Sequence, residues 1–329
     1  MTPTDQPDFE AGKHDPAWAR PARVAVSAFQ RIAGAIAVLW LSATATFVVL
    51  ESAGGDPVAN MLGGGDGVSD EATRKAMAAQ LGLDQPVAVR YVNYLRDLIG
   101  GDLGQSYQLR RPVADVIGEQ IGATIELAIV AAILAVVFAL IGGVLLAARH
   151  RVVDIAVQSV ELVLVSTPTF WLGILLLTVF SFNLGWFPVS GATGVEALVL
   201  PALALALPLA AVLSQVLRES VERTLEQPFV VTVRARGVTE TRLKFVHVAK
   251  HAAGPALNVA GWFVGGLLGG AVLTEAVFGR PGLGQIALRG VVDRDMPIVM
   301  SVVLISALVY VVVNTLLDGL HRIIDPRIT

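Results

Sequence analysis

The chain has 329 residues, 54% of them hydrophobic and only 16% charged, with a mean hydropathy of +0.68. Soluble domains carry about a quarter charged residues, so this balance excludes an ordinary globular enzyme and points to a membrane protein. A net charge of −3 offers no basic field for nucleic acid, and the absence of cysteine excludes disulfides and thiolate metal sites.

Residues 1–22 contain Pro, Asp and Ala without apolar periodicity, and read as a flexible cytoplasmic tail. A membrane helix needs roughly 20 mostly apolar residues to cross a core of about 30 Å. Ile32 to Leu50 is the first of six charge-free runs of that kind; it is too long for a signal-peptide core and is expected to be retained. Residues 23–122 thus hold the first span and a long external segment, Glu51 to Gly122. Within it, "SDEATRKAMAAQLGL" opens with Ser and Asp and continues with helix formers, which predicts an amphipathic helix. "QPVAVRYVNYLRDLIGGDLG" predicts a second helix that stops at Gly100-Gly101. "GGGD" at Gly63 to Asp66 matches the GxGD of intramembrane aspartyl proteases, but no span supplies a second aspartate, so it reads as a Gly-rich turn.

Residues 123–329 carry the other runs: Leu127 to Ala148, Leu162 to Phe182, Ala197 to Leu217, Ala252 to Thr274 and Met296 to Leu317. The expected fold is all-α with six transmembrane helices. Glu126, Glu161 and Glu275 are placed near run ends, leaving uncharged centres, which disfavours a proton- or ion-driven mechanism within this chain. Pro168 and Pro208 are expected to kink spans three and four. In span five, Gly261, Gly265 and Gly269 repeat every four positions, as do Gly266 and Gly270. That spacing admits close helix approach, either within the chain or from a second membrane subunit. Most of the 24 Lys and Arg fall on one side of these spans, which puts both termini in the cytoplasm.

Spans four and five are joined by a basic insert, about 218–251, containing "TVRARGVTETRLKFVHVAKHAAGP". On a helix, Phe229, Val230, Val233 and Gly237 share one face, and Arg234 and Arg236 point away. Gly237 breaks the pattern, and Thr239 is expected to cap a second helix from about Glu240 to His251. There is no GxxxxGK[ST] phosphate loop and no GxSxG elbow, so neither ATP binding nor hydrolase chemistry is assigned to this chain. His247 and His251 lie four apart with no acid between them, unlike HExxH, and no metal site is expected.

The order "RARG", nine residues, His247, then Pro255 resembles the EAA loop of ABC importer permeases, and more narrowly the dipeptide/oligopeptide (and nickel) permease group. The family pattern runs roughly T-A-R-A-K-G, H-A-L-R-N-A, P. It is matched at Thr232, Arg234, Ala235, Arg236 (Arg for Lys), Gly237, His247, Lys250 and Pro255. Val233, His251 and Gly254 depart from it. "GGDPVANML", "LGLDQPVAVRYVNYL", "GDLGQSY", "STPTFWLGILL", "LPALALALPLAA", "GAVLTEAVFGRPGLG" and "DPRI" resemble further family segments, in order along the chain.

The resemblance implies a type I ABC importer permease in a bacterial plasma membrane, with no catalytic residue of its own. It implies that Thr232, Arg234, Ala235, Arg236, Gly237 and His247 couple to a separate ATPase, and that Glu275, Pro281, Gly282 and Gly284 border an outer gate. Implied partners are a second related permease in a heterodimer, two ABC ATPases that hold ATP and Mg, an external solute-binding protein and the lipid bilayer. Implied cargo is a di- or oligopeptide, with glutathione-like peptides or nickel as alternatives. Two other readings stay open. One is an ATP-independent channel or secondary carrier, which would transport alone; the other is a scaffold that binds ATPases without carrying solute.

Overall fold

The computed structural model describes residues 19–54, 58, 61, 71–147, 151–189 and 194–324. The expected tail up to residue 18, the Gly63 to Asp66 turn, most of "GGDPVANML", and "DPRI" lie outside the described residues, as do the side chains of Lys250 and His251. Every element among the described residues is helical: α1 (Ala19–Ser52), α2 (Glu71–Gln80), α3 (Val87–Ile99), α4 (Val113–Leu140), α5 (Arg151–Ser166), α6 (Thr169–Leu176), α7 (Val195–Leu225), α8 (Pro228–Ala235), α9 (Glu240–Arg242), α10 (Ala249–Phe278), α11 (Leu283–Val292) and α12 (Met296–Ile324). Wider π turns extend α4 (Ile141–Leu145) and α6 (Leu177–Asn183), and a third (Leu243–Val248) joins α9 to α10. Because α1 begins at Ala19, residues 19–22 are helical rather than part of the tail.

Prolines set several of the starts. Pro86, Pro112 and Pro168 stand immediately before α3, α4 and α6, and Pro228 opens α8. A helix's first N–H groups lack intrahelical partners, so proline's missing donor costs little there. At Pro168 the expected kink is a full break: α5 and α6 meet at 108°. At Pro208 the helix continues, and α7 runs unbroken through both Pro201 and Pro208.

Among the described residues, four helices are long and apolar enough to cross a membrane, or five if the bent α5–α6 pair counts as one span. The remaining expected run, Ala252 to Thr274, lies inside the 30-residue α10.

Side-chain size, more than polarity, decides which face of a span turns inward. On α4, Leu127, Ala131, Ala135 and Ala139 recur every fourth residue and are buried, while Ile129, Ile133 and Val136 are exposed. Lipid is as apolar as isoleucine, so the small residues take the helix–helix seam, where backbones approach and dispersion contacts accumulate. That seam meets Leu198, Ala202, Leu205, Ala206, Leu209 and Leu213 of α7, which also packs on α10, α5 and α6 and is the centre of the bundle. α1 stands to one side against α12.

The two helices predicted between the first two spans form as α2 and α3, and α3 stops where expected, with Gly101 at φ +78°. α3 is pinned to the carboxyl-terminal end of α1. Tyr91 Oη lies 2.7 Å from Thr44 Oγ1, Arg90 bonds Glu51 at 2.9 Å, and Tyr94 stacks on Phe47. The loop after α3 is fastened instead to the α11–α12 junction. Buried Asp295 accepts from the Tyr107 and Gln108 amides at 3.1 and 3.2 Å and from the Ser106 hydroxyl.

Candidate functional site

The basic insert folds as a helix, a glycine bend and a second helical stretch. Val230 of α8 is fully buried in a cluster with Val144, Ala147, Val221, Leu243, Val248 and Ala252, and Phe229 and Val233 pack against it. The opposite face exposes Val231, Thr232, Arg234, Ala235 and Arg236. This is the facing that the period predicts. Gly237 follows at φ +76°, a left-handed conformation that costs other residues about 1–3 kcal/mol. A Cβ there would meet nothing within 4 Å, so backbone conformation, not close approach, is what requires glycine.

Thr239 occupies the N-cap position of α9, but its side chain makes no capping bond; its carbonyl accepts from the Leu243 amide at 2.8 Å. The bend is held by Arg234, whose Nε and Nη2 donate to the two carboxylate oxygens of Glu240 at 2.7 and 3.2 Å. The hydrogen bonds from Arg234 are the main reason that the Glu240 carboxyl sits below its ordinary range. Arg234 is therefore engaged within the chain, which differs from an arginine free to meet a partner's acids. Arg236 is the other exposed cation on this face. His247 lies half-buried on the π turn, ten residues past Gly237. Lys244, on the same turn, is buried and donates to the Ala147 carbonyl at the end of α4. A cavity of about 200 Å³ lined by Leu145, Leu225, Arg234, Glu240, Lys244 and Phe245 opens beside the staple.

Of the four residues expected at an outer gate, three come together. Glu275 is 0% exposed at the end of α10; it accepts from Thr124 Oγ1 of α4 and from the Gly284 amide, both at 2.7 Å. Thr124 Oγ1 in turn accepts from the Leu283 amide at 2.8 Å. A Cβ on Gly282 would fall on the Glu275 carboxylate, and one on Gly284 would meet the α10 backbone at Val272 and lie 2.9 Å from Glu275 Oε2. Both glycines are needed for close approach. Pro281 is exposed and stands outside this cluster. Beside it Arg280 bonds Glu126 at 2.6 Å.

Sequence reasoning missed Glu240, Thr124 and Asp295. It also placed Glu161 at a span end. The structure corrects this: Glu161 lies inside α5, 4% exposed, bound by Arg218 and Ser214 of α7. The break at Pro168 shifts the helix boundary toward the carboxyl terminus of α5, which a charge-free window could not show. The sequence signal was two opposite charges bounding neighbouring apolar runs on the same side of the membrane.

The glycine repeat of α10 divides. Gly261 faces Asn314 of α12 and Gly270 faces Leu205 of α7, so these form intrachain seams. Gly266 and Gly269 are exposed.

Residues 139–329 match the family described as "binding-protein-dependent transport system inner membrane component", and residues 27–128 match its amino-terminal counterpart. A protein of Brucella suis biovar 1 (strain 1330), named as a peptide transport system permease, is 35% identical over 308 residues, covering 91% of this chain and 97% of that protein. The glutathione transport system permease of Escherichia coli (strain K12) is 34% identical over 300 residues, with the same coverage of 91% and 97%. A solved amino acid ABC transporter aligns at TM-score 0.47 and 17% identity, over 65% of this chain and 94% of that one. The chain belongs to the binding-protein-dependent transport permeases, as a multi-pass membrane subunit of such a system.

Proposed function

We propose that this permease serves an ATP-driven importer of short peptides and docks through its cytoplasmic loop onto a separate ATPase. The observation that carries the reading is α8, which has one face locked into the core by Val230 and the other presenting Val231, Thr232 and Arg236 to the cytoplasm. A short helix held on one side and bare on the other suits insertion into a partner's groove. The printed names of the relatives, for peptide and for glutathione transport, support a peptide cargo over nickel.

In this reading α10 is the sixth span, both termini are cytoplasmic, and the exposed Gly266 and Gly269 meet a second related permease. ATP and Mg reside on the ATPases, and this chain contributes no catalytic group. A solute-binding protein delivers cargo onto the surface built from α2, α3 and the loop clasped by Asp295, and the turn at Glu275, Gly282 and Gly284 borders the outer gate.

The carrier alternative regains one argument, because Glu161 is a buried ionisable residue inside a membrane helix. Its pairing with Arg218 makes it a poor proton carrier, and import through an ATPase remains the reading that accounts for α8.

The test is purification of the tagged chain in mild detergent with its partners, followed by ATPase and vesicle-uptake assays. Recovery of ATPase subunits and loss of stimulated hydrolysis on Gly237→Trp support docking at this loop. Peptide uptake by the chain alone, with no ATPase recovered, overturns it in favour of a channel or carrier. ATPases bound with no uptake of any solute would favour the scaffold.

A further inference from the structure

We propose that Glu161 and Arg218 are positioning residues for transport: their buried pair passes displacement of the docking loop to α5 and thence to the outer turn. The inference rests on the docking reading above.

The π turn at the end of α4 is clasped from two sides. On the cytoplasmic side, Val144 and Ala147 pack in the cluster that holds Val230 of α8, and Lys244 donates to the Ala147 carbonyl. On the other side Gly142 and Gly143 lie directly against α7. A Cβ on Gly142 would fall on Ser214 Oγ, and one on Gly143 would stand 2.6 Å from the Ser214 carbonyl oxygen and 2.7 Å from Leu217 Cβ. Close-packed surfaces of this kind transmit displacement instead of absorbing it. Any movement of α8 that reaches the π turn therefore reaches Ser214.

Ser214 and Arg218 hold α5 through one oxygen. Glu161 Oε1 accepts from Ser214 Oγ and from Arg218 Nη2, each at 2.5 Å, while Glu161 Oε2, Arg218 Nε and Arg218 Nη1 are buried without a partner. A guanidinium and a carboxylate bond best as a two-pronged fork. The pair as it stands uses one prong, so sliding α5 along α7 exchanges a single-oxygen contact for a fork. That exchange gives the pair two discrete arrangements, the requirement for a coupling element. Beside the pair, Phe138, Val160, Glu161, Leu164 and Ala211 line an open apolar groove of about 330 Å³ along α4, α5 and α7, so α5 is not close-packed on that side.

From α5 the route continues across the 108° break at Pro168 into α6. Gly173 of α6 packs on Val277 and Phe278, just beyond Glu275. Motion of α5 thus arrives beside the outer turn.

A structural brace and a coupling element make opposite predictions for E161L/R218M. Replacing a buried ion pair by apolar residues of similar size is often neutral or stabilising, so the assembled complex should melt at or above wild type. Solute carried per ATP hydrolysed should nonetheless fall about 5- to 150-fold, the range of a typical coupling free energy. Unchanged uptake per ATP in this variant would reduce the pair to a brace and overturn the proposal.

A second measurement keeps the pair intact. The chain has no cysteine, so spin labels at Ile155→Cys on α5 and Gln215→Cys on α7 report one distance in the full complex. That distance should shift between nucleotide-free and ATP-trapped states; a fixed distance in a complex that hydrolyses ATP and transports would also refute the slide. If the wild-type chain recovers no ATPase, the docking reading itself has failed, which is a separate outcome.

Discussion

Thr124→Val is the sharpest probe of the turn that encloses Glu275. The substitution keeps the volume and removes the hydroxyl that donates to Glu275 Oε1 at 2.7 Å and accepts from the Leu283 amide at 2.8 Å. A hydrogen bond to a charged group is worth about 1.5–3 kcal/mol, and a buried amide left without an acceptor costs about 1–3 kcal/mol. Membrane-embedded bonds average lower, about 0.6 kcal/mol by double-mutant cycles, because the unfolded chain in lipid finds other partners. The turn lies at the end of α10, so a loss of about 2–4 kcal/mol is expected, below the simple sum. Thr124→Ser keeps both bonds and forfeits one methyl, about 0.8 kcal/mol. The two variants should therefore separate clearly in detergent unfolding of the purified complex. The Leu283 amide should also exchange faster in the Val variant alone. Equal stability of the Val and Ser variants, with Leu283 equally protected, would show that the hydroxyl bridge does not hold the turn.

Gly237→Ala should destabilise the bend by about 1–3 kcal/mol, and Gly237→Asn by less because asparagine tolerates the left-handed region; unfolding of the complex and stimulated ATPase activity measure both. The Arg234–Glu240 staple has a definite pH sign. Its carboxyl is held below its ordinary range, so the contribution is complete above that range and is lost as pH falls through the lowered value. Protease sensitivity of the loop should rise on acidification, and Glu240→Gln should abolish that rise; the pair is exposed, so the effect on overall stability is small. Asp295→Ala orphans the Ser106 hydroxyl and the Tyr107 and Gln108 amides, at a cost of about 2–5 kcal/mol, and should make the segment Gly104 to Arg111 the first site cut by protease between α3 and α4.

Much of this molecule is written locally. The apolar runs appear as α1, α4, α7 and α12, and a further run lies within α10, because one residue's transfer into lipid depends little on its neighbours. The facing of α8, the stop at Gly101 and the bend at Gly237 follow from period and from φ preferences of single residues. Sequence could not say whether a proline would break a span or ride within it. Pro168 ends α5 because α6 finds packing on α10 at a new angle, while Pro208 sits within an α7 enclosed by its neighbours. Nor could it pair charges that lie far apart. Glu161 with Arg218, Ser106 with Asp295 and Thr124 with Glu275 are separated by 57, 189 and 151 positions. What composition and period determined was which segments are apolar enough to enter a membrane and which face of α8 is apolar. What only the tertiary structure decided was which polar groups meet, since a buried charge or hydroxyl is tolerable only when packing brings a partner to it.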